Sequence, residues 1–255
     1  MSVVSVTMPE RRLYQQVLDL GFPPRCVGCA SPGAWICRRC WSSVSWLPPD
    51  RCIECSSPLE SAGLCPLCLQ RGSSIGGGRI NVTAVARFEG IARKAVHELK
   101  YKGHRDVATV LGPVMAQRVD LGVATIVSVP LHWKRKRSRG YNQSELLARN
   151  IAGAMGCRVD ASSLRRQSNT RDQIRLDAAA RRANVAGVFL WTGGKITGPV
   201  LIVDDVYTTG ATLNACADAV RRAACADAVR RAGATPVEGV VFACDLLTRS
   251  GSSPE

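Results

Sequence analysis

The chain has 255 residues, of which 46% are hydrophobic, and its formal net charge of +14 is carried by 28 arginines and 6 lysines. This composition excludes wholesale disorder, and no run of about 18 apolar residues is present that could cross a membrane. The length predicts one large domain or two unequal ones, and arginine-rich charge favours a phosphorylated ligand or nucleic acid as partner.

The beginning of the chain lacks the apolar core of a signal peptide, so we expect a soluble cytoplasmic protein. In that compartment, cysteines are expected to bind metal rather than form disulfides. Eight of the 12 cysteines form four CxxC pairs within a short segment. They are Cys26, Cys29, Cys37, Cys40, Cys52, Cys55, Cys65 and Cys68.

Two CxxC turns complete a tetrahedral site of four thiolates, so four turns predict two structural zinc ions. We favour sequential sharing, in which the first two pairs hold one ion and the last two pairs hold the other. A crossed arrangement stays open. Trp35, Trp41 and Trp46 lie among the first pairs, and we expect them to pack the small core rather than to stack on bases.

A linker is predicted after the cysteine-rich segment, because residues 71–78 read RGSSIGGG. We therefore place a double zinc ribbon at residues 20–72 and a second domain at residues 79–247. The second domain is predicted to be α/β, with a mainly parallel sheet flanked by helices. Its strands are expected near residues 82–88, 125–130, 185–191, 199–205 and 236–243.

A basic segment follows the strand predicted at 125–130. Residues 130–182 contain 13 basic and four acidic side chains, which is +9 of the net charge. Its most basic part is KRKRSR at 134–139, which could attract pyrophosphate or contact a nucleic-acid backbone. A helix is predicted to start just beyond it, which places several polar side chains near the mouth of a site. These are Arg139, Tyr141, Asn142 and Gln143.

The strand predicted at 199–205 is an apolar, β-branched run that ends in Asp204 and Asp205. A loop of small residues and an alanine-rich helix follow, an order that points backbone N–H groups at a phosphate. The carboxylates would repel that phosphate, so we expect them to bind hydroxyl groups or a metal ion. A sugar phosphate fits both parts of this arrangement. The loop residues are Thr208, Thr209, Gly210, Ala211 and Thr212.

A tandem repeat lies in the predicted helix, because ACADAVRRA occurs at 215–223 and again at 224–232. Nine residues at about 100° each leave the two copies roughly half a turn apart. Their apolar faces therefore point in opposite directions. We expect only one copy to pack on the sheet, while the other extends beyond it or bulges.

The motif VLIVDDVYTTGAT, residues 200–212, resembles the phosphoribosyl pyrophosphate (PRPP) motif of type I phosphoribosyltransferases. Upstream, VSVPLHWKRKRSRGYNQSELLA is similar to the ComF family, whose members carry R-G-[FY]-N-Q after a Val-Pro strand end. LKYKGH, residues 99–104, resembles the lysine–tyrosine segment of that family. The cysteine-rich module ahead of such a domain also resembles ComF proteins of the double-zinc-ribbon type.

The resemblance implies a type I phosphoribosyltransferase fold and a role for each matching residue. Asp204 and Asp205 would bind the ribose 2′- and 3′-hydroxyls, and residues 208–212 would hold the 5′-phosphate. Mg²⁺ would bridge the pyrophosphate and ribose oxygens, and the polar segment 164–182 would form a mobile hood. The pyrophosphate loop would consist of Pro130, Leu131 and His132.

For function, the resemblance implies Mg²⁺-dependent transfer of a phosphoribosyl group with release of pyrophosphate, in a protein linked to DNA uptake during competence. The alternative is a non-catalytic accessory protein that binds single-stranded DNA or a DNA-processing helicase and uses the site only to sense a ligand. The intact acidic pair and the TTGAT loop favour a working ligand site. The basic segment and the zinc ribbons favour nucleic acid. The acceptor substrate stays unidentified.

Overall fold

The computed structural model describes residues 23–48, 52, 59, 65–66, 80–119, 122–123, 125–167, 188–228 and 236–245, and for 225–228 the backbone alone. The linker at 71–78, Cys55, Cys68 and most of the predicted hood lie outside these ranges. Within them, no helix is both long enough and apolar enough to cross a bilayer.

The central sheet contains five described strands, and every pair in it is parallel. The strands are β1 (Asn81–Arg87), β2 (Thr125–Ser128), β3 (Arg158–Asp160), β6 (Val200–Tyr207) and β7 (Val237–Cys244). Their order is β1-β7-β6-β2-β3. The predicted parallel sheet is therefore confirmed, and β3 is a short edge strand that the sequence did not predict.

Helices cover both faces of the sheet. Side chains alternate between the two faces along each strand, so each strand contributes to a core on either side. The helices are α1 (Arg38–Ser42), α2 (Gly90–Tyr101), α3 (Val107–Ala116), α4 (Trp133–Arg139), α5 (Gln143–Met155) and α6 (Ala211–Ala228). Leu201 and Val203 of β6 belong to the core beneath α2, α3 and α5. Val200 and Ile202 belong to the core beneath α6. The fold is thus a layered α/β domain, as predicted.

The prediction that the strand near 185–191 belongs to the parallel sheet is wrong. Its described part, β5 (Phe189–Trp191), pairs antiparallel with β4 (Leu164–Arg166) in a separate two-stranded sheet. Phe189 is buried whereas Leu190 is exposed. Burial on one face alone is typical of antiparallel strands, whereas central parallel strands are buried on both faces.

The basic run at 134–139 forms helix α4. Lysine and arginine are good helix formers, and both helix ends are defined. The His132 ring accepts a hydrogen bond from the Lys134 backbone N–H at the start. Gly140 ends the helix with φ of 79°, a left-handed conformation that favours glycine.

The repeated segment lies in α6, which contains the whole first copy and continues into the second. In the first copy Cys216, Ala217 and Val220 are fully buried against the sheet. The first copy therefore packs on the sheet, whereas the side chains of residues 225–228 and the whole of residues 229–232 in the second copy lie outside the described part of the chain.

The first cysteine pairs are docked onto the α/β domain. Residues 45–47 run antiparallel along the outer edge of β1, where Leu47 N–H donates to Val85 O at 3.0 Å and Arg87 N–H donates to Ser45 O at 2.9 Å. The rings of Trp41 and Trp46 stack with centroids 5.5 Å apart. Both tryptophans pack against the core, in agreement with the packing role predicted for them.

Candidate functional site

The sheet order opens a crevice at the carboxyl ends of β2 and β6. These strands are neighbours, but the chain leaves β2 through α5 toward β3 and leaves β6 through α6 toward β7. The two connections diverge to opposite sides, and open α/β sheets bind ligands at such a switch point. The predicted acidic pair, the small-residue loop and the segment after β2 all lie at this edge.

Asp204 and Asp205 lie near the carboxyl end of β6. Asp204 Oδ1 accepts hydrogen bonds from Ser144 Oγ at 2.7 Å and from the Asp205 backbone N–H at 2.9 Å. Asp205 Oδ2 forms an ion pair with Lys100 Nζ at 2.7 Å. The acidic pair is therefore held from two sides, by α5 through Ser144 and by α2 through Lys100.

The two carboxylates compete for ionisation. Burial, reinforced by the negative charge of Asp205, raises the pKa of Asp204 to about 7, although Ser144 and Lys100 oppose the shift. Two adjacent carboxylates repel each other, and a cation or hydroxyl donors at the site offset that repulsion. Their oxygens are also the hard ligands that Mg²⁺ accepts, so the donor set fits both a sugar diol and a magnesium ion.

The loop after β6 requires glycine at position 210. This residue has φ of 75°, and any Cβ there would lie 2.5 Å from the Tyr207 hydroxyl and 2.8 Å from its ring. Asn214 donates from its side chain back to Gly210 O and accepts the Ile80 backbone N–H, which fixes the first turn of α6. The loop positions with exposed hydroxyl side chains are Thr208, Thr209 and Thr212.

Three of the predicted mouth residues are buried, and two of them hold backbone of other segments. Asn142 Nδ2 donates to Val129 O at 2.9 Å, and its Oδ1 caps α5 by accepting Ser144 N–H. Tyr141 OH donates to Leu99 O at 2.5 Å, and burial raises the pKa of this phenol, which keeps it protonated. Gln143 accepts a hydrogen bond from the Arg139 guanidinium. These side chains therefore fix the mouth of the crevice rather than line it.

The predicted pyrophosphate loop, Pro130, Leu131 and His132, directly follows β2 and is partly exposed. Helix α4 continues from it and presents a basic, solvent-exposed surface. Trp133 is 55% exposed on this helix, with Lys134 Nζ 5.8 Å from its ring centroid. Tyr101 is 67% exposed beneath Arg139, whose guanidinium carbon lies 5.5 Å from the ring. Cationic and aromatic side chains thus alternate beside the crevice.

Lys100 and Ser144 were not among the predicted site residues, although both contact the acidic pair. Both lie inside segments that resemble the ComF family, LKYKGH and RGYNQSELLA. That resemblance was the available signal, but a lysine on a helix and a serine at a helix start look like ordinary surface and capping residues. Only the packing of α2 and α5 against β6 brings them to the carboxylates.

The first four cysteines form a cluster in which all Sγ atoms lie within 4.8 Å of one another. A tetrahedron of zinc–thiolate bonds of about 2.3 Å holds its sulfurs within this distance of one another, so the cluster fits a structural zinc ion. A hydrogen bond with Ser31 lowers the pKa of Cys29 to about 6, whereas burial raises the pKa of Cys40 to about 12. The first two pairs share one site, as sequential sharing predicted.

The second pair of turns repeats one contact of the first. Cys37 N–H donates to Cys26 Sγ at 3.3 Å, and Cys65 N–H donates to Cys52 Sγ at 3.3 Å. Each contact joins the first cysteine of one CxxC pair to the first cysteine of the next. The contact therefore favours sequential sharing here too, while the other two cysteines of this site lie outside the described ranges.

Comparison with known proteins gives matches over both parts of the chain. Residues 17–69 match the family model described as a double zinc ribbon domain. The DNA utilization protein YhgH of Salmonella typhi is 30% identical over 216 residues, covering 75% of this chain and 92% of that protein. Competence protein ComFC of Bacillus subtilis is 22% identical over 201 residues, covering 69% and 81%.

Among solved structures, a glutamine PRPP amidotransferase from B. subtilis, complexed with ADP and GMP, matches with a TM-score of 0.34 and 24% identity. The match covers 57% of this chain and 30% of that one. A TM-score of this size does not establish a shared fold, so the site rests on its own geometry and on the sequence relatives.

Proposed function

Because this chain belongs to the ComF family, together with the DNA utilization protein YhgH, we propose that it is a cytoplasmic, PRPP-binding protein of the phosphoribosyltransferase type that serves DNA uptake or utilization. In this proposal residues 79–247 form the transferase-like domain, and residues 20–72 form a double zinc ribbon with two structural zinc ions. The observation that carries the proposal is the acidic pair beside a hydroxyl-rich loop at the switch point of the sheet.

The chemistry of the site suits a ribose phosphate. Asp204 and Asp205 would accept the ribose hydroxyls, since carboxylates are strong acceptors for such donors. Residues 208–212 would hold the 5′-phosphate with hydroxyls and backbone N–H groups at the start of α6. The segment 130–132, followed by the cations of α4, would face the diphosphate.

Mg²⁺, held by the acidic pair and the diphosphate, would neutralise charge on the departing pyrophosphate. The residues of this chain supply the remaining stabilisation, because the anomeric carbon becomes cationic while the leaving group gains negative charge. Cations such as Lys100 and those of α4 would stabilise that charge where it develops. No nucleophilic side chain is required for this transfer, and the acceptor would enter from the open side of the crevice.

Calorimetric titration with PRPP and Mg²⁺ tests the proposal. We expect binding by the wild type and at least about a tenfold weaker affinity in Asp205→Asn, because a buried charged acceptor is lost. Asp218→Asn is the matched control, since this carboxylate lies on α6 and is 46% exposed. A wild-type protein without measurable PRPP binding would exclude the proposed function.

A second candidate function is favoured by one observation, the basic and aromatic surface of α4. Single-stranded nucleic acid is bound by cations that follow its backbone and by aromatic rings on which bases stack. Trp133 and Tyr101 are two of the three large apolar side chains exposed among the described residues. The protein would then contact single-stranded DNA, or a DNA-processing helicase that carries it, and the crevice would sense a ligand. The two functions are compatible.

A further inference from the structure

Lys100 is the cation that lies against the acidic pair among the described residues. Its Nζ is 2.7 Å from Asp205 Oδ2, and the side chains of Lys100 and Asp205 are only 21% and 4% exposed. Removing one partner of such a pair leaves the other charge uncompensated in a poorly solvated place, which is costly. A ligand whose hydroxyl groups occupy the Asp205 carboxylate must therefore offer the Lys100 ammonium a new anionic partner.

The backbone of Lys100 is tied to the mouth of the crevice. Leu99, its neighbour, is fully buried, and Leu99 O accepts the hydrogen bond from Tyr141 OH. The guanidinium of Arg105 lies over the same tyrosine ring at 4.7 Å. The hydrogen bond from Tyr141 to Leu99 joins the last turn of α2 to the segment that follows α4. The backbone at Lys100 is therefore fixed, while its four-carbon side chain can still rotate.

We propose that Lys100 determines ligand specificity at this site by requiring a diphosphate in addition to a ribose 5-phosphate. In the ligand-free protein its ammonium neutralises Asp205. When ribose hydroxyls take the carboxylates, the ammonium turns to the diphosphate on the anomeric carbon. Ribose 5-phosphate lacks that group and leaves the ammonium without a partner. The inference rests on the proposed function, because it takes the acidic pair as the ribose site.

The test compares PRPP with ribose 5-phosphate, each titrated with Mg²⁺ into the full chain by calorimetry. In Lys100→Met we expect PRPP affinity to fall about tenfold or more while ribose 5-phosphate affinity is unchanged or improves, so the preference collapses. Lys100→Arg should recover most of the preference, since it restores the charge. Lys102→Met is the matched control, an exposed lysine two residues further along, and should bind both ligands like the wild type.

Equal losses for both ligands in Lys100→Met, at an unchanged unfolding temperature, would overturn the inference, because Lys100 would then only support the acidic pair. An unchanged preference for PRPP would overturn it as well and would leave the proposed function intact. A wild-type protein that binds neither ligand would exclude the proposed function and the inference together. If Lys100→Met does not fold, Lys100→Gln replaces it, because the amide can still donate to Asp205 without the charge.

Discussion

At the residue scale, the acidic pair shows how one dipeptide acquires two different environments. Asp205 is buried and paired with a lysine, whereas Asp204 accepts two neutral hydrogen bonds and lies beside the charge of Asp205. The difference follows from strand geometry, because successive side chains point to opposite faces of β6. Asp205 shares the face of Leu201 and Val203, where Lys100 of α2 supplies a full counter-charge, whereas Asp204 is on the other face and accepts only neutral hydrogen bonds.

The raised pKa of Asp204 predicts a pH-dependent stability. An unfolded Asp titrates near 3.8 and the folded one at about 7, so the folded state binds more protons between these values. Stability therefore falls as pH rises through this range, and the loss is complete above about pH 7. Asp204→Asn removes the titration but keeps the Oδ1 acceptor. We expect its unfolding temperature, relative to wild type, to rise by about 5 °C between pH 4.5 and pH 8.

Thermal unfolding at the two pH values, followed by circular dichroism, checks this prediction. Asp218→Asn serves as control and should differ from wild type by the same amount at both values. Equal behaviour of Asp204→Asn at pH 4.5 and pH 8 would show that the Asp204 carboxyl has an ordinary pKa in the folded protein.

At the element scale, α4 is a short helix that carries much of the local positive charge on an exposed surface. It has capped ends, yet among the described residues none of its side chains is buried. A seven-residue helix gains little stability from its own hydrogen bonds. Packing does not explain its charge pattern either, because its side chains are not buried. The helix instead places cations beside the segment 130–132, where either a diphosphate or a nucleic-acid backbone would pass.

Variants of α4 separate its electrostatic and stacking contributions to DNA binding. Replacement of Lys134, Arg135, Lys136 and Arg137 by Gln should weaken binding of single-stranded DNA and flatten its salt dependence, by about 0.7 in logarithmic slope per lost phosphate contact. Trp133→Ala should weaken binding by about 1–3 kcal/mol and leave the slope unchanged.

Fluorescence anisotropy of a labelled oligonucleotide at several salt concentrations measures both effects. Arg158→Gln, at the amino end of β3, and Arg222→Gln, on α6, change exposed side chains. Both are controls that should keep the wild-type salt dependence. A wild-type affinity that does not depend on salt would rule out backbone contacts by α4.

At the scale of the whole molecule, the first zinc ribbon and the α/β domain share a surface. Lys94 Nζ donates to Gly28 O at 3.4 Å, and the rings of Trp35 and His104 lie 5.0 Å apart. Together with the strand-like pairing of residues 45–47 along β1, these contacts cover one edge of the sheet. Metal binding in the ribbon should therefore stabilise the larger domain as well.

Loss of one ligand tests this coupling and the number of zinc ions. Cys37→Ser should reduce zinc from two ions per chain to one and lower the unfolding temperature by about 5 °C or more. Cys157→Ser changes a partly buried thiol outside the cluster and should keep both ions. Elemental analysis and thermal unfolding provide the two readings, and full zinc content in Cys37→Ser would contradict the assignment of Cys37 as a ligand.

The sequence alone determined the features that depend on neighbours along the chain. CxxC spacing brings two thiolates to one ion whatever the surrounding fold, so each pair was predictable, whereas the spacing left open which two pairs share an ion. The apolar run ending in Asp204 and Asp205, followed by a small-residue loop, likewise defined β6 and the start of α6. These patterns are local, because hydrogen bonding and side-chain periodicity within a short segment produce them.

The tertiary structure alone decided which distant segments meet. Lys100 and Ser144 reach the acidic pair because α2 and α5 pack on the same face of the sheet, and no periodicity in either helix indicates that contact. Tyr141 looked like a residue of the mouth and instead fixes the end of α2 through Leu99. The strand at 189–191 pairs with residues 164–166 and is not part of the central sheet. Strand partners and ion pairs between distant segments depend on topology, which a single sequence leaves open.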